Sequence, residues 1–286
     1  MKNQTAFYLF LLCSLLLLVT PANLLAGGWT REKGKGYAQL GGSYIGYNSL
    51  FVNGSETLNL PFTVTDITLQ GYAEYGITRN LTVIGWLPFK IANNTIRTDT
   101  AVVVLPESVG NLNALGNIGL AARYQLARSG IFVVAAQLKA DLPTARYQTA
   151  TGLRSGYSAL GIAPALQAGA SGNRWYAAAE LGANFRTNNY STQIIGSIEG
   201  GYRIVKSFYL GGVIELLNSL ENGSYVDGNS VNTGLYLNNQ EYVSFGLKAW
   251  TKIAKGFGIN AWAFGAFSGS LVAKAPAIGG SIYYEW

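Results

Sequence analysis

The sequence predicts an all-β fold, a transmembrane antiparallel β-barrel of about twelve strands with short periplasmic turns and long extracellular loops. Three observations carry this prediction. Polar and apolar residues alternate with period two in segments of about ten residues. Short turns and longer polar loops separate these segments in near-regular alternation. Aromatic residues collect at the segment ends, where amphipathic rings would lie at a membrane interface.

The composition excludes several other classes of protein. The chain has 286 residues, of which 49% are hydrophobic and 12% charged, with 36 glycines and a net charge of +6. Disordered chains carry more charge and fewer aromatic residues. One cysteine and no histidine exclude a disulfide framework, a Cys/His zinc site and any mechanism with a histidine base. We expect no enzymatic activity, no cofactor and no metal, and the dispersed basic residues predict no nucleic-acid partner.

Residues 1–26 have the pattern of a secretory signal peptide, which leaves 27–286 as the barrel domain. The small residues Ala22 and Ala26 are both candidate cleavage positions, and an uncleaved helical anchor is the alternative. Cys13 lies inside the apolar run rather than after a small residue, which argues against lipid attachment. Export with barrel patterning predicts a location in the cell outer membrane of a Gram-negative envelope.

Twelve segments have the length and the alternation of membrane-crossing strands. Pro88 and Pro164 fall inside two of them and predict bulges or bends, because proline removes a hydrogen-bond donor from the ladder. Five longer loops are expected at 48–63, 92–116, 143–156, 220–239 and 269–276. The predicted strands are 36–47, 64–77, 81–91, 117–127, 130–142, 157–170, 174–187, 192–205, 207–219, 240–253, 257–268 and 277–286.

The polar face of each strand identifies the side that would line a lumen, since an apolar face must meet lipid. One or two charges per strand fit a lumen better than the denser charge of a soluble sandwich. The clearest polar faces, in chain order, are Asp66, Thr68, Gln70, Tyr72 and Glu74 in the second strand; Arg123 and Gln125 in the fourth; Gln137, Lys139 and Asp141 in the fifth; Glu180, Asn184 and Arg186 in the seventh; and Gln193, Glu199 and Arg203 in the eighth.

Aromatic residues on the apolar faces form two groups, as the two interfaces of a bilayer require. Phe89, Phe185, Phe245 and Phe267 lie towards the long loops. The group beside the short turns or the C-terminus comprises Tyr75, Tyr124, Phe132, Trp175, Tyr202, Phe208, Phe257 and Trp286.

The C-terminal segment ends on an aromatic residue that shares a face with other apolar side chains. Ile282, Tyr284 and Trp286 alternate along the last predicted strand. This pattern resembles the assembly signal of outer-membrane barrels, which implies the barrel-assembly machinery as a partner. Lipid and lipopolysaccharide are the other expected partners. Arg97, Arg146, Arg154 and Lys274 are candidates for lipopolysaccharide contact, and a solvated loop face is the alternative for each.

The predicted lumen carries seven acids and six bases when Glu285 is counted, so its charges nearly balance. Buried charges need partners, and a salt-bridged, plugged bore is therefore one interpretation. A narrow conduit with aromatic surfaces is the other. About ten residues precede the first strand after cleavage, and we expect too few to form a plug. The candidate lumen-lining residues are Asp66, Glu74, Trp86, Lys90, Arg123, Lys139, Asp141, Glu180, Arg186, Glu199, Arg203, Glu215, Lys248, Trp250 and Trp262.

Five stretches resemble a family of outer-membrane barrels known as the meta-pathway of phenol degradation family, whose relatives include proteins assigned a transport role. The family implies passage of hydrophobic or aromatic compounds across the outer membrane, and it defines no binding residues to carry over. The sequence TARYQ after Pro143 departs from the family, in which a glycine is expected. The matching stretches are GGWTREKGKGYAQLGGSYIGYN (27–48), YAEYGITRNLTVIGWLPF (72–89), GNIGLAARYQL (116–126), LKADLPTARYQTATGL (138–153) and ELGANFRT (180–187).

Two functional hypotheses follow from these patterns. The first is an outer-membrane channel for passive passage of small solutes, including hydrophobic or aromatic ones. The second is a closed structural or surface-interaction barrel whose lumen is filled by salt bridges. A soluble periplasmic sandwich is a third reading, and fractionation outside the membrane would favour it.

Overall fold

The computed structural model describes residues 27–97 and 108–286, and nearly all of its regular structure is β-strand. The predicted signal segment 1–26 lies outside these residues. One short 3-10 helix, Gly228–Asn232, occurs in a loop. The described part of the chain holds no helix long and apolar enough to cross a membrane, a finding that does not bear on strands.

Twelve antiparallel strands form a closed barrel, as predicted. The first strand pairs with both the second and the last, so the sheet has no free edge. One barrel strand is interrupted, and both of its parts pair with β3. The segments are β1 Gly36–Asn53, β2 Glu56–Gly76, β3 Leu81–Ile96, the interrupted pair β4 Gly110–Leu115 and β5 Gly119–Ser129, β6 Phe132–Asp141, the loop pair β7 Tyr147–Gln148 and β8 Leu153–Arg154, β9 Gly161–Ser171, β10 Trp175–Arg186, β11 Gln193–Val205, β12 Phe208–Ser219, β13 Glu241–Lys252, β14 Phe257–Ser270, β15 Val272–Ala273 and β16 Ala277–Glu285.

The connections define two rims that we name by their length. Short turns, including the one at Gly130 with φ +55°, lie on the turn rim together with the N-terminal residues and Trp286. Long connections lie on the loop rim. In barrels of this kind the short turns face the periplasm and the long loops face outward.

The first hairpin is longer than the sequence predicted. The expected loop 48–63 is wrong, because β1 continues to Asn53 and β2 begins at Glu56. A tight turn with Gly54 at φ +62° joins them. The strands extend because alternation continues with an apolar rather than a polar inner face, at Leu60, Phe62 and Val64. Strand β3 and segment β4 likewise occupy part of the expected loop 92–116.

Both prolines lie at interruptions of the sheet, as the sequence predicted. Pro88 sits where the register of β3 changes between its pairing with β5 and its pairing with β4, and its carbonyl accepts a hydrogen bond from Gly116 at 2.9 Å. Pro164 lies where the β9–β10 ladder skips from the Gly182–Ala165 pair to the Phe185–Ile162 pair.

The outer surface is apolar and the inner surface polar, the reverse of a soluble protein. Contiguous exposed apolar area of this extent marks a membrane-facing surface. Eleven of the twelve predicted interface aromatics are exposed, and Phe208 is half-buried. The most exposed aliphatic side chains of the wall, each more than half exposed, include Leu40, Leu120, Leu166, Leu181, Ile198, Leu247 and Ile282.

An apolar core lies at the loop rim rather than in the middle of the barrel. The upper parts of β1 and β2 supply most of it, and loop residues Leu153 and Leu235 pack against them. Its buried members are Tyr47, Leu50, Leu60, Phe62, Val64, Ala92, Leu153 and Leu235. This core positions the loops over the bore.

Candidate functional site

The residues before β1 fold back into the bore at the turn rim, and we call residues 27–35 the N-terminal plug. The main-chain N–H of Arg31 donates to Thr82 Oγ1 at 2.7 Å, and the carbonyl of Trp29 accepts from Arg123 Nη1 at 3.1 Å. The first residues of the plug lie against β6, β9 and β10, and its last residues lie across the lumen beside β1 and β2. The expectation that too few residues precede the first strand to form a plug is therefore wrong.

Glycines in the wall make room for the plug. The ring of Trp29 lies over Gly169, where a Cβ would stand 2.6 Å from ring carbon Cη2. The same ring meets Tyr176 edge-on, with centroids 6.5 Å apart. At the other side, a Cβ on Gly76 would lie 2.1 Å from the carbonyl oxygen of Glu32. Both positions need glycine because the plug backbone or ring occupies the space of a side chain.

A network of buried charges holds the plug in place. Arg31 Nε lies 2.6 Å from Glu74 Oε2, and Arg31 Nη1 lies 3.5 Å from Glu285 Oε1. The carboxylate of Glu74, whose side chain is 1% exposed, also faces Arg123 at 3.6 Å and accepts from the Tyr72 hydroxyl at 2.6 Å. A buried carboxylate is tolerated only when it is paired and hydrogen-bonded in this way.

Above the plug lies a cavity of about 270 Å³, which we call the lower chamber. Its lining includes two bases, Arg123 and Lys139, and two acids, Glu180 and Glu199. Glu199 is held further by Lys248 and by the hydroxyl of Tyr176. The lining residues are Gly27, Tyr72, Ile84, Trp86, Ala121, Arg123, Gln137, Lys139, Gln167, Ala178, Ala179, Glu180, Ser197 and Glu199.

A second cavity of about 440 Å³ lies nearer the loop rim, and we call it the upper chamber. Trp86 and Lys139 line both chambers and therefore stand at the boundary between them. The lining residues are Ser43, Thr68, Gln70, Trp86, Pro88, Lys90, Asn117, Lys139, Asp141, Ser155, Tyr157, Ala159, Gly161, Ala163, Asn184, Arg186, Gln193, Ile195, Leu217 and Tyr236.

The loops 143–160 and 220–240 cover the upper chamber, and together we call them the loop cap. Arg154 joins them: it is fully buried, and it donates to the hydroxyls of Tyr190 at 3.0 Å and Tyr225 at 2.6 Å and to Ser230 Oγ. Its guanidinium also lies 3.8 Å from the ring centroid of Tyr147. Arg154 is therefore unavailable to lipopolysaccharide, contrary to the expectation for this residue.

Two loop-cap groups have shifted proton affinities. Burial raises the pKa of the Asp227 carboxyl, while the hydrogen bond from the Asn238 main chain at 2.9 Å and the charges of Arg154 and Arg186 oppose that rise. Burial also raises the pKa of the Tyr236 hydroxyl, against the opposing charge of Lys90. Both shifts follow from the exclusion of water beneath the cap.

The fifteen residues predicted to line the lumen divide into two sets. Eight line a chamber: Trp86, Lys90, Arg123, Lys139, Asp141, Glu180, Arg186 and Glu199. The other seven contact neighbours in the strands or at the turn rim. Three form ion pairs: Asp66 with Lys90 at 2.8 Å, Glu74 with Arg31 of the plug, and Lys248 with Glu199. Arg203 donates to the Asn173 carbonyl, Trp250 stacks on Tyr209 with centroids 5.3 Å apart, Trp262 lies against Gly279, and Glu215 is in register with Ser197 and Ser244.

Sequence reasoning missed Trp29 and Arg31, and it gave Arg154 a role in lipopolysaccharide contact rather than in the loop cap. One signal pointed to Arg31, because the predicted lumen carried one more acid than bases and Arg31 is the base that restores the balance. The predicted assembly residues Ile282, Tyr284 and Trp286 are exposed on the outer face. In the described residues, no group of three or more Cys, His, Asp or Glu side chains is arranged to hold a metal ion.

Comparisons with known proteins bear on the fold. No family model and no curated protein matches the chain, so its membership of the phenol degradation family stays a prediction. An outer membrane channel from Pseudomonas putida F1 is similar, with a TM-score of 0.71 at 13% identity over 94% of this chain and 100% of that chain. The NanC porin has a TM-score of 0.51 at 6% identity, covering 86% and 98%. The beta domain of the Bordetella autotransporter BrkA has 0.50 at 15%, covering 89% and 100%. At these identities, the likeness shows that the chain has an outer-membrane barrel fold.

Proposed function

We propose that this protein is an outer-membrane channel for the passive passage of small solutes, narrowed by the N-terminal plug and the loop cap. The observation that supports this proposal is the pair of polar chambers in series, which meet at Trp86 and Lys139. A solute entering beneath the cap would pass from the upper chamber to the lower one and leave beside the plug. The structural likeness to an outer membrane channel supports a channel role.

The proposal extends to the solute class and to the surroundings of the barrel. The rings of Trp86, Tyr157 and Tyr236 in the upper chamber favour solutes with a flat apolar part. The apolar outer surface favours contact with outer-membrane lipid and lipopolysaccharide, and the exposed C-terminal aromatics favour recognition by the barrel-assembly machinery. We expect no enzymatic activity from the described residues that line the bore.

A closed structural barrel is the second candidate, and it has its own supporting observation. The buried charges at the turn rim are paired within the chain, and the loop cap has a well-packed apolar core. A barrel with this pattern needs no solute to be stable. The two candidates differ in whether ions cross the purified protein.

Planar-bilayer conductance separates the two candidates. We would compare the full-length mature barrel with a variant that lacks residues 27–33. We expect a small conductance from the full-length protein and a several-fold larger conductance from the shortened one, because the shortened chain no longer crosses the bore. Heat-modifiable migration on gels serves as the folding control for both proteins. Folded barrels that carry no current in either form would overturn the channel proposal and support the closed barrel.

A further inference from the structure

We propose that the upper chamber binds a small organic anion, a carboxylate on a flat apolar body, and that this class is the preferred solute of the channel. This inference rests on the proposed function, because it names the preferred solute of that channel. Three features support it: buried donors without a partner, an excess of positive charge and the placement of aromatic rings. The donors of Gln193 and Arg186 belong to the upper chamber alone, whereas Lys139 and Trp86 also line the lower chamber.

The chamber wall contains polar atoms that have no partner within the described residues. Gln193 is 1% exposed, and its Nε2 makes no hydrogen bond. Nη1 of Arg186 and Oδ1 of Asn184 are also buried without a partner. A buried polar group without a partner costs about 1–3 kcal/mol. Two of these atoms, Gln193 Nε2 and Arg186 Nη1, are donors, and an acceptor on a bound molecule would complete their hydrogen bonding.

Arg186 is held so that one edge of its guanidinium stays available. Its Nε donates to the Ser191 carbonyl at 2.7 Å, and Nη2 donates to the Asn238 carbonyl at 2.8 Å. These bonds fix the plane of the group and leave Nη1 as the unused donor. Guanidinium and amide donors are the usual partners of a carboxylate, so Nη1 and Gln193 Nε2 favour an anion.

The charge of the upper chamber also favours an anion. Its lining includes the bases Lys90, Lys139 and Arg186 but one acid, Asp141. Lys90 is neutralised by Asp66, to which it donates at 2.8 and 3.1 Å. Lys139 stands at the boundary with the lower chamber and makes no ion pair or hydrogen bond with the described part of the chain. The three bases therefore exceed the two acids, Asp66 and Asp141, by one charge. A desolvated positive site attracts anions more strongly than an exposed one.

Ring placement indicates the shape of the neutral part. Trp86 lies flat over Gly119, where a Cβ would stand 1.9 Å from the ring. Tyr157 is fixed edge-on against Tyr236, with centroids 5.3 Å apart and planes at 82°. Trp86 and Tyr236 offer apolar surface to the chamber, while the ring of Tyr157 lies 4.8 Å from the guanidinium carbon of Arg186. A volume of about 440 Å³ lies within the range of about 300–1,000 Å³ usual for small-molecule pockets.

Calorimetric titration of the full-length barrel in detergent tests this proposal without requiring conductance. The probes are sodium benzoate, benzyl alcohol and benzylammonium chloride, which share a ring and differ in charge. We expect saturable binding of benzoate, weaker binding of benzyl alcohol and no binding of benzylammonium. Equal binding of the three probes, or no binding of benzoate, would overturn the proposal.

Matched variants locate the site. Lys139→Gln should weaken benzoate binding about tenfold, as loss of one charge-assisted bond predicts. Lys248→Gln removes the same charge from the bore outside the upper chamber and should leave the affinity unchanged. Gln193→Met is a second variant in case Lys139→Gln does not fold, and it should weaken binding in the same direction. Equal effects of Lys139→Gln and Lys248→Gln would mean general attraction to the bore and would refute the site.

The two proposals fail in different ways. Benzoate binding that depends on Lys139 in a barrel without conductance would keep the anion site and overturn the channel. Conductance with no difference between benzoate and benzylammonium, in binding or in permeability, would keep the channel and overturn the anion site.

Discussion

The two halves of the bore are closed by different chemistry. At the turn rim, the chain fills its own lumen, and Arg31, Glu74 and Arg123 satisfy one another's charges. At the loop rim, an apolar core and the buried Arg154 hold a cap over a chamber whose wall keeps unmade hydrogen bonds. The charges of the turn-rim half are therefore paired within the chain, whereas the donors of Arg186 and Gln193 in the loop-rim half mark the place where we propose that a ligand binds.

Removing Arg154 should destabilise the loop cap, and this is the largest effect that we predict. Arg154→Ala leaves the hydroxyls of Tyr190, Tyr225 and Ser230 without their donor, and we expect the cap to open about 4 kcal/mol more easily. Hydrogen exchange and limited proteolysis of residues 143–160 and 220–240 measure this change.

Arg146→Ala is the matched control for Arg154→Ala. Arg146 lies in the same loop, but its side chain is exposed, so the exchange of the cap should stay within about 0.5 kcal/mol of the unchanged protein. Similar protection of the cap in both variants would show that Arg154 does not hold it.

Removing Arg31 should release the N-terminal plug, with a somewhat smaller effect than the loss of Arg154. Arg31→Gln leaves Glu74 with Arg123 at 3.6 Å as its remaining cation, and release of the plug should become about 2–3 kcal/mol easier. Single-channel recordings should show a larger fraction of time in a high-conductance state. Lys33→Gln is the control, because Lys33 carries the same charge on the same segment but is exposed. The prediction fails when the two variants conduct alike.

The sequence predicts the wall of the barrel far better than its contents. Alternation is a local pattern, so the faces of the strands and the positions of Pro88 and Pro164 could be read directly. The plug could not be predicted by counting residues, because a single ring, Trp29, spans much of the space once Gly169 makes room. The loop cap depends on partners far apart in the chain, such as Arg154 and Tyr225, which no local pattern connects.

The extension of the first hairpin shows where alternation misleads. The inner face of β2 changes from polar at Asp66 to apolar at Val64, Phe62 and Leu60. A search for a polar lumen face therefore ends the strand too early. The change of polarity marks the height at which the open bore gives way to the cap.

A substitution beneath Trp29 tests the plug without altering its charges. Gly169→Val places side-chain atoms where the indole ring lies, since a Cβ there would be 2.6 Å from the ring. We expect displacement of the ring at a cost of about 1–2 kcal/mol and a several-fold rise in open time. Gly71→Ala is the control, because a Cβ at Gly71 meets no atom within 4 Å. If folded Gly169→Val has the same open time as the unchanged protein, Trp29 does not control the opening of the channel.

Salt should affect the plug more than the loop cap, and this is the smallest effect that we predict. Raising KCl from about 0.15 M to about 1 M shortens the screening length from about 8 Å to about 3 Å. The partly exposed contact of Arg31 with Glu285 at 3.5 Å should weaken, while the buried contact with Glu74 is screened less. The open time should therefore rise by no more than about twofold, as expected for one weak pair that keeps some exposure to solvent. The rise should be smaller in Arg31→Gln, because that variant lacks the contact between Arg31 and Glu285. Proteolysis of the loop cap should not change with salt, since apolar packing and hydrogen bonds hold it. An equal response of both rims would mean that they are closed by the same kind of contact.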